Sequence, residues 1–148
     1  MSAVLDVLPE GAPFLIGEVV VDTLRTSSEL AGAKVLDNPV RLADLTDGER
    51  IVFFEDTSDN YIEQPGGVQK RVFGFSVGVI NRSDAARRSA HTDYRAAKRA
   101  VRSALQALSM QLRTGSLREG AVSYRLENID VGGSLVLGSF SVEYRDPS

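Results

Sequence analysis

The chain has no cysteine and only one histidine among its 148 residues. Without cysteine, neither a disulfide nor a thiolate metal site can form. The lone His91 has no acid three or four residues away on either side, so it is a poor metal ligand and reads as a boundary histidine on a helix. No Ser-His-Asp or Cys-His set can be assembled. Dinucleotide, Walker and EF-hand loop patterns are also missing. Gly66-Gly67 and Gly132-Gly133 are turn glycines, because no helix start follows either pair to cradle a phosphate. No apolar run approaches the roughly 20 residues needed to span a bilayer. No basic segment followed by an apolar run opens the chain, so a signal peptide is not expected. These absences point away from catalysis, metals, cofactors and membranes, and towards packing surfaces.

Hydrophobic residues make up 43% of the chain and charged residues 25%, the proportions of an ordinary globular protein. Its length suits a single domain, residues 1–148, able to bury roughly two thirds of its unfolded surface. Residues 1–10 read as an arm. The net charge of -3 is unevenly spread: residues 82–113 hold eight Arg or Lys against two Asp, or +6, and the remainder holds nine bases against eighteen acids, or -9. A basic face on an acidic chain is either a solvated helix or one half of a self-complementary pair. Nucleic-acid binding ordinarily wants a basic domain as a whole.

Along the chain, Pro13 suits a helix start. On that helix Glu18, Asp22 and Arg25 share one side, while Phe14, Gly17, Val20, Val21 and Leu24 fill an opposite arc. Lys34–Asp37 suits a short strand, and Arg50–Phe54, β-branched and aromatic, a firm one. Residues 55–70 then bring four acids, Glu55, Asp56, Asp59 and Glu63, and a Pro-Gly-Gly turn. Strands flank this stretch, which predicts an extended hairpin whose loop projects from the body. The acid spacing is not that of a calcium loop; a solvated loop, or one that touches a basic partner, is the reading. Residues 70–81 alternate, with Phe73, Phe75, Val77 and Val79 on one face and Gly74, Ser76 and Gly78 on the other, where the small residues allow close approach of another backbone or helix.

A long helix is predicted from Ser83, as N-cap, to near Arg113. At about 100° per residue, Arg88, Arg95, Arg99, Arg102 and Arg113 cluster between about 80° and 140° from Tyr94. Ala90, Tyr94, Ala97, Val101, Leu105, Leu108 and Leu112 form the apolar stripe near zero, and His91 falls between the two. Some 45 Å of helix exceeds the span of such a domain, so an overhang, or an interruption near Ala90–Thr92, is expected. Ala96, Ala100 and Ala107 read either as helix propensity on an exposed face or as room for a second element. Two strands close the chain, Ala121–Ile129 and Ser134–Arg145, joined through Gly132-Gly133. The fold class is α+β: a mainly antiparallel sheet, one face covered by a long helix and an N-terminal helix, with a projecting β-hairpin.

The strand Arg71-Val-Phe-Gly-Phe-Ser-Val-Gly-Val79 and the ending Phe140-Ser-Val-Glu-Tyr144-Arg145 carry a family resemblance. They are supported by Asn38-Pro39 and by the Val-x-Tyr-Arg…Gly-Gly arrangement ahead of that ending. From about Pro13 to Arg145 the chain resembles the tail terminator, or tail completion, proteins of long-tailed bacteriophages. The resemblance implies a non-enzymatic virion protein, assembled in the host cytoplasm, that forms a hexameric ring on the tail tube. The ring would end tube growth and offer a surface to the head-side connector, with DNA passing through its lumen unread. It implies no catalytic or cofactor residues, and it gives the 55–70 hairpin a role in contacting the tube or a neighbouring subunit. Rings of identical subunits need two different complementary patches. On this reading Arg88, Arg95, Arg99 and Arg102 face Glu55, Asp56, Asp59 and Glu63 of the adjacent copy. Another head-tail connector component and a small α+β ligand-binding domain are the competing readings.

Overall fold

The computed structural model describes residues 11–38, 48–63, 69–108, 117–126 and 133–146. In chain order these form helix α1 (Ala12–Thr26), a single 3₁₀ turn (Ser28–Leu30), strands β1 (Lys34–Asp37), β2 (Arg50–Glu63) and β3 (Gln69–Asn81), helix α2 (Ala86–Leu108), and strands β4 (Arg118–Leu126) and β5 (Ser134–Asp146). The five strands make one sheet in the order β1-β2-β3-β5-β4. Only β1 and β2 run parallel; the other pairs are antiparallel. The class is α+β, as the patterning predicts. The first ten residues, the turns expected at 64–68 and at Gly132, and Leu112 and Arg113 lie outside the described residues. No helix among the described residues is long and apolar enough to cross a membrane.

The core follows the alternation in the strands. Val52 and Phe54 of β2, Phe73, Phe75, Val77 and Val79 of β3, and Val136, Phe140, Val142 and Tyr144 of β5 are all buried in one cluster with both helices. Phe75 is its centre, with ring centroids 5.2 Å from Phe54, 5.6 Å from Phe73 and 5.5 Å from Phe140. The two motifs that carry the family resemblance are therefore one structure: Arg71 pairs with Tyr144, Phe73 with Val142 and Phe75 with Phe140.

The structure corrects several expectations. Helix α2 runs without interruption through Ala90–Thr92. It starts at Ala86, not after Ser83: the Ser89 amide donates to the Ala85 carbonyl at 2.9 Å, while Ser83 is tied back to β3, its amide and hydroxyl both donating to Asn81 Oδ1 at 2.9 and 2.6 Å. Ala96 and Ala100 are buried in the cluster shared with α1, so room for a second element is their role, while Ala107 is exposed. On α1, Phe14 is 44% exposed and Ile16 takes its place in the core. Residues 55–63 are not loop but a continuation of β2, paired along β3 from Ser76 to Lys70. The small face of β3 admits side chains of the adjacent strand: the Phe53 ring lies over Gly78 and Ser58 over Gly74. A side chain at Gly78 would overlap that ring, so Gly78→Ala is expected to lower the thermal midpoint measurably, through about 1–3 kcal/mol of overpacking.

Candidate interaction surface

The surface is set by a buried polar clasp that orients α2. Asp93 is 6% exposed and Asn81 1% exposed. Arg50, at the start of β2, grips the Asp93 carboxylate with two donors, Nε to Oδ2 at 3.1 Å and Nη2 to Oδ1 at 3.0 Å. Arg50 Nη1 also donates to the Ala31 carbonyl at 2.9 Å, tying in the 3₁₀ turn. Asn81 Nδ2 reaches Asp93 Oδ2 at 3.4 Å. A bidentate arginine–carboxylate pair of this kind fixes geometry as well as charge. A polar cavity of about 310 Å³ opens beside it, lined in part by Ser83, Arg88, Ser89 and Thr92. Asp93→Asn keeps the shape but removes the charge that holds Arg50. Its expected cost is about 1–2 kcal/mol in urea unfolding, with the helical content of the folded state unchanged.

One flank of α2 leans on β4. Lys98 Nζ lies 2.8 Å from Glu119 Oε1 and Arg102 Nε 3.1 Å from Glu119 Oε2, so one β4 acid holds two α2 cations. Arg99 pairs with Glu29, with its Nε 3.2 Å from Oε1. The His91 imidazole stacks on the Tyr124 ring, centroids 4.9 Å apart and planes 8° from parallel. Arg88 and Arg95 are exposed and have no hydrogen-bond or ion-pair partner among the described residues. The stripe thus divides in two: Arg99 and Arg102 are held by acids of their own chain, and Arg88 and Arg95 are open to another.

Hydrogen bonds from Lys98, then Arg102, hold the Glu119 carboxyl below the usual carboxylate range. A carboxyl depressed in the folded state stabilises above its unfolded pKa, about 4.3, and that stabilisation is lost as pH falls through the folded value. Glu119→Gln is therefore expected to flatten the acid limb of the stability curve below about pH 4.5 and to cost little at neutral pH, about 1 kcal/mol or less for so accessible a cluster. Thermal scans across pH measure it.

On the opposite margin of the sheet, the acids of β2 are placed by strand pairing. Asp59 accepts from the Tyr144 hydroxyl at 2.9 and 2.8 Å and from Arg71 Nε at 3.3 Å. Asp56 donates its backbone amide to Asn38 Oδ1 at 2.9 Å. Its own carboxyl is pushed up by burial and by nearby Asp37. Glu55 is half-buried, and Glu63 ends the strand in register with Lys70. Farther out, Tyr61 is 55% and Ile62 44% exposed. Within one chain, the structure brings none of Glu55, Asp56 and Asp59 to the arginine stripe; the acids it does bring there are Glu29 and Glu119. No sequence signal marked these two, because each is isolated in its own polar segment. In the sequence Asp93 is one of only two acids of the basic segment, and its place on the wheel beside the apolar stripe is the signal that marks it.

No protein-family model matches the chain, and no curated protein matches it. Among solved structures it is similar to a chain of a structure described as "Virion of native gene transfer agent (GTA) particle". The two are 16% identical with a TM-score of 0.48, over 87% of this chain and 93% of that one.

Proposed function

We propose that this protein is a non-enzymatic structural component of a phage-like virion that assembles into a ring on the end of the tail tube. The ring ends tube polymerisation and presents the head-side connector with its docking surface, while DNA passes through its lumen without being read. Hexameric closure, assembly in the host cytoplasm and a final place at the head-proximal end of the tail follow from the family that its strands resemble.

The observation that carries the reading is the separation of charge between exposed arginines of α2 and acids of the distal stretch of β2. Arg88 and Arg95 are exposed on α2 and their side chains have no partner among the described residues, whereas Asp56 and Asp59 stand apart from them on the distal stretch of β2. Identical subunits that meet head to tail need two unlike patches of this kind. Charge pairs of this sort steer register and encounter more than they supply affinity. The two motifs behind the resemblance meet as the central β3–β5 ladder, so the resemblance rests on the heart of the sheet.

Particles assembled without this protein are expected to carry tails of unregulated length, or tails unattached to heads, by electron microscopy; normal tails on filled heads would refute the reading. At the level of the chain, Arg88→Glu with Arg95→Glu is expected to abolish ring formation in sedimentation while leaving the monomer's circular dichroism unchanged. An unaltered oligomer in that double variant would remove these arginines from the interface.

A further inference from the structure

The sheet has two unfinished edges. Strand β1 pairs with β2 only from Ile51 to Phe54. It stops at Asp37, where Asn38 turns the chain at φ 48° and its Oδ1 takes the Asp56 amide. Beyond that point no strand among the described residues lies outside β2, so its distal stretch, Glu55–Glu63, is an open edge. The outer side of β4, the last strand in the order, is open in the same sense. Open edges present rows of unpaired N–H and C=O groups, a template for another strand.

These two edges fit each other. Strand β4 has nine residues, the length of the Glu55–Glu63 stretch. The strands β2, β3, β5 and β4 alternate in direction. Wherever successive copies continue one sheet, the β4 of one copy therefore runs antiparallel to the β2 of the next, with no reversal or twist of a subunit. Charge agrees with direction. The β2 stretch holds four acids and no base. The β4 margin holds Arg118, 76% exposed at its side chain although 3.8 Å from Glu143 of β5, and a Glu119 already neutralised by Lys98 and Arg102. The faces agree too. Asp59 reaches Tyr144, whose ring is buried in the cluster with the helices, and Asp56 lies beside Gly17 of α1. Both acids therefore lie on the helix side of the sheet, the side on which α2 presents Arg88 and Arg95. Pairing the β2 edge with itself would instead set one acidic strand against another, which disfavours a two-fold dimer through that edge.

From this we infer that neighbouring copies join by strand addition, the outer edge of β4 of one copy pairing antiparallel with Glu55–Glu63 of the next to make one continuous sheet. The inference rests on the ring reading above and names its interface: main-chain hydrogen bonds hold the copies together, and charge selects which edge meets which.

The absence of native cysteine makes the test clean. Full overlap of the two stretches sets Ser58 opposite Ser123. Both face away from the helices, Ser58 over Gly74 and Ser123 in register with Leu137, and both are exposed. Facing positions on paired strands are within disulfide reach. Ser58→Cys with Ser123→Cys, and Asn60→Cys with Ser123→Cys to allow for a two-residue slip, are oxidised as purified full-length chains, alone and with the particle's tube protein. At least one double variant is expected to give a ladder of covalent multimers ending at the ring, while each single-cysteine chain stays unlinked. A ring that forms by sedimentation but gives no ladder overturns strand addition and leaves the ring reading standing. Dimers from single-cysteine chains overturn it in favour of like-edge pairing. A chain that stays monomeric under both conditions overturns the ring reading and this inference together.

Discussion

Phe75→Ala is expected to destabilise the fold by about 3–5 kcal/mol, the range for removing a large aromatic side chain from a rigid core. Phe75 is fully buried and lies between 5.2 and 5.6 Å from three other aromatic rings. Those rings come from three different strands, so they cannot all collapse into the space it leaves without bending the sheet. Against a total stability of about 5–15 kcal/mol, the loss is a large fraction. Urea unfolding should show a much lower midpoint at an unchanged slope, and the thermal midpoint should fall by roughly 10 °C or more. Phe14→Ala is the contrast: that ring is 44% exposed on α1, and its removal is expected to stay near 0.5 kcal/mol.

Gly138→Ala should also be costly, for the opposite reason. A methyl group at Gly138 would overlap the Tyr94 hydroxyl. Tyr94 is 7% exposed and anchors the apolar stripe of α2 to β5. Burial, with some help from Glu119, pushes its phenol pKa up, so the ring is neutral and dry at any ordinary pH. Overpacking of about 1–3 kcal/mol is expected. A double-variant cycle isolates the cause. Tyr94→Phe removes the overlapping oxygen, so adding it should recover part of the loss in the Gly138→Ala chain, a coupling that an unrelated structural effect would not give. If Tyr94→Phe merely adds its own cost, the contact is not the reason.

The central strands were legible because they obey period two without exception. Phe73, Phe75, Val77 and Val79 read as one face and pack as one, and the same holds for Val136, Phe140, Val142 and Tyr144. The apolar stripe on α2 was legible for the same reason at period 3.6. Elements governed by long-range polar contacts were not. Ser83 is tied back to β3 through Asn81, which accepts from both its amide and its hydroxyl, and nothing local in the sequence reveals that contact. Polar residues 55–63 look like loop by composition, yet backbone pairing with β3 makes them strand. The apolar arc of α1 named Phe14 but missed Ile16, because two helices sharing a sheet decide between neighbouring positions on the wheel. The candidate surface was legible as two opposite charges and not as two edges. A helical wheel finds Arg88 and Arg95, but only the strand order shows that β4 and the distal stretch of β2 are the edges of the sheet.

Ring assembly is the central claim, and mass measurement of the purified protein in solution, alone and with the tail tube protein, tests it most directly. A discrete species of six copies, formed either alone or on the tube and dispersed by Arg88→Glu with Arg95→Glu, is the expected result. A protein that remains a monomer in both conditions, and that does not bind the tube, would contradict the account.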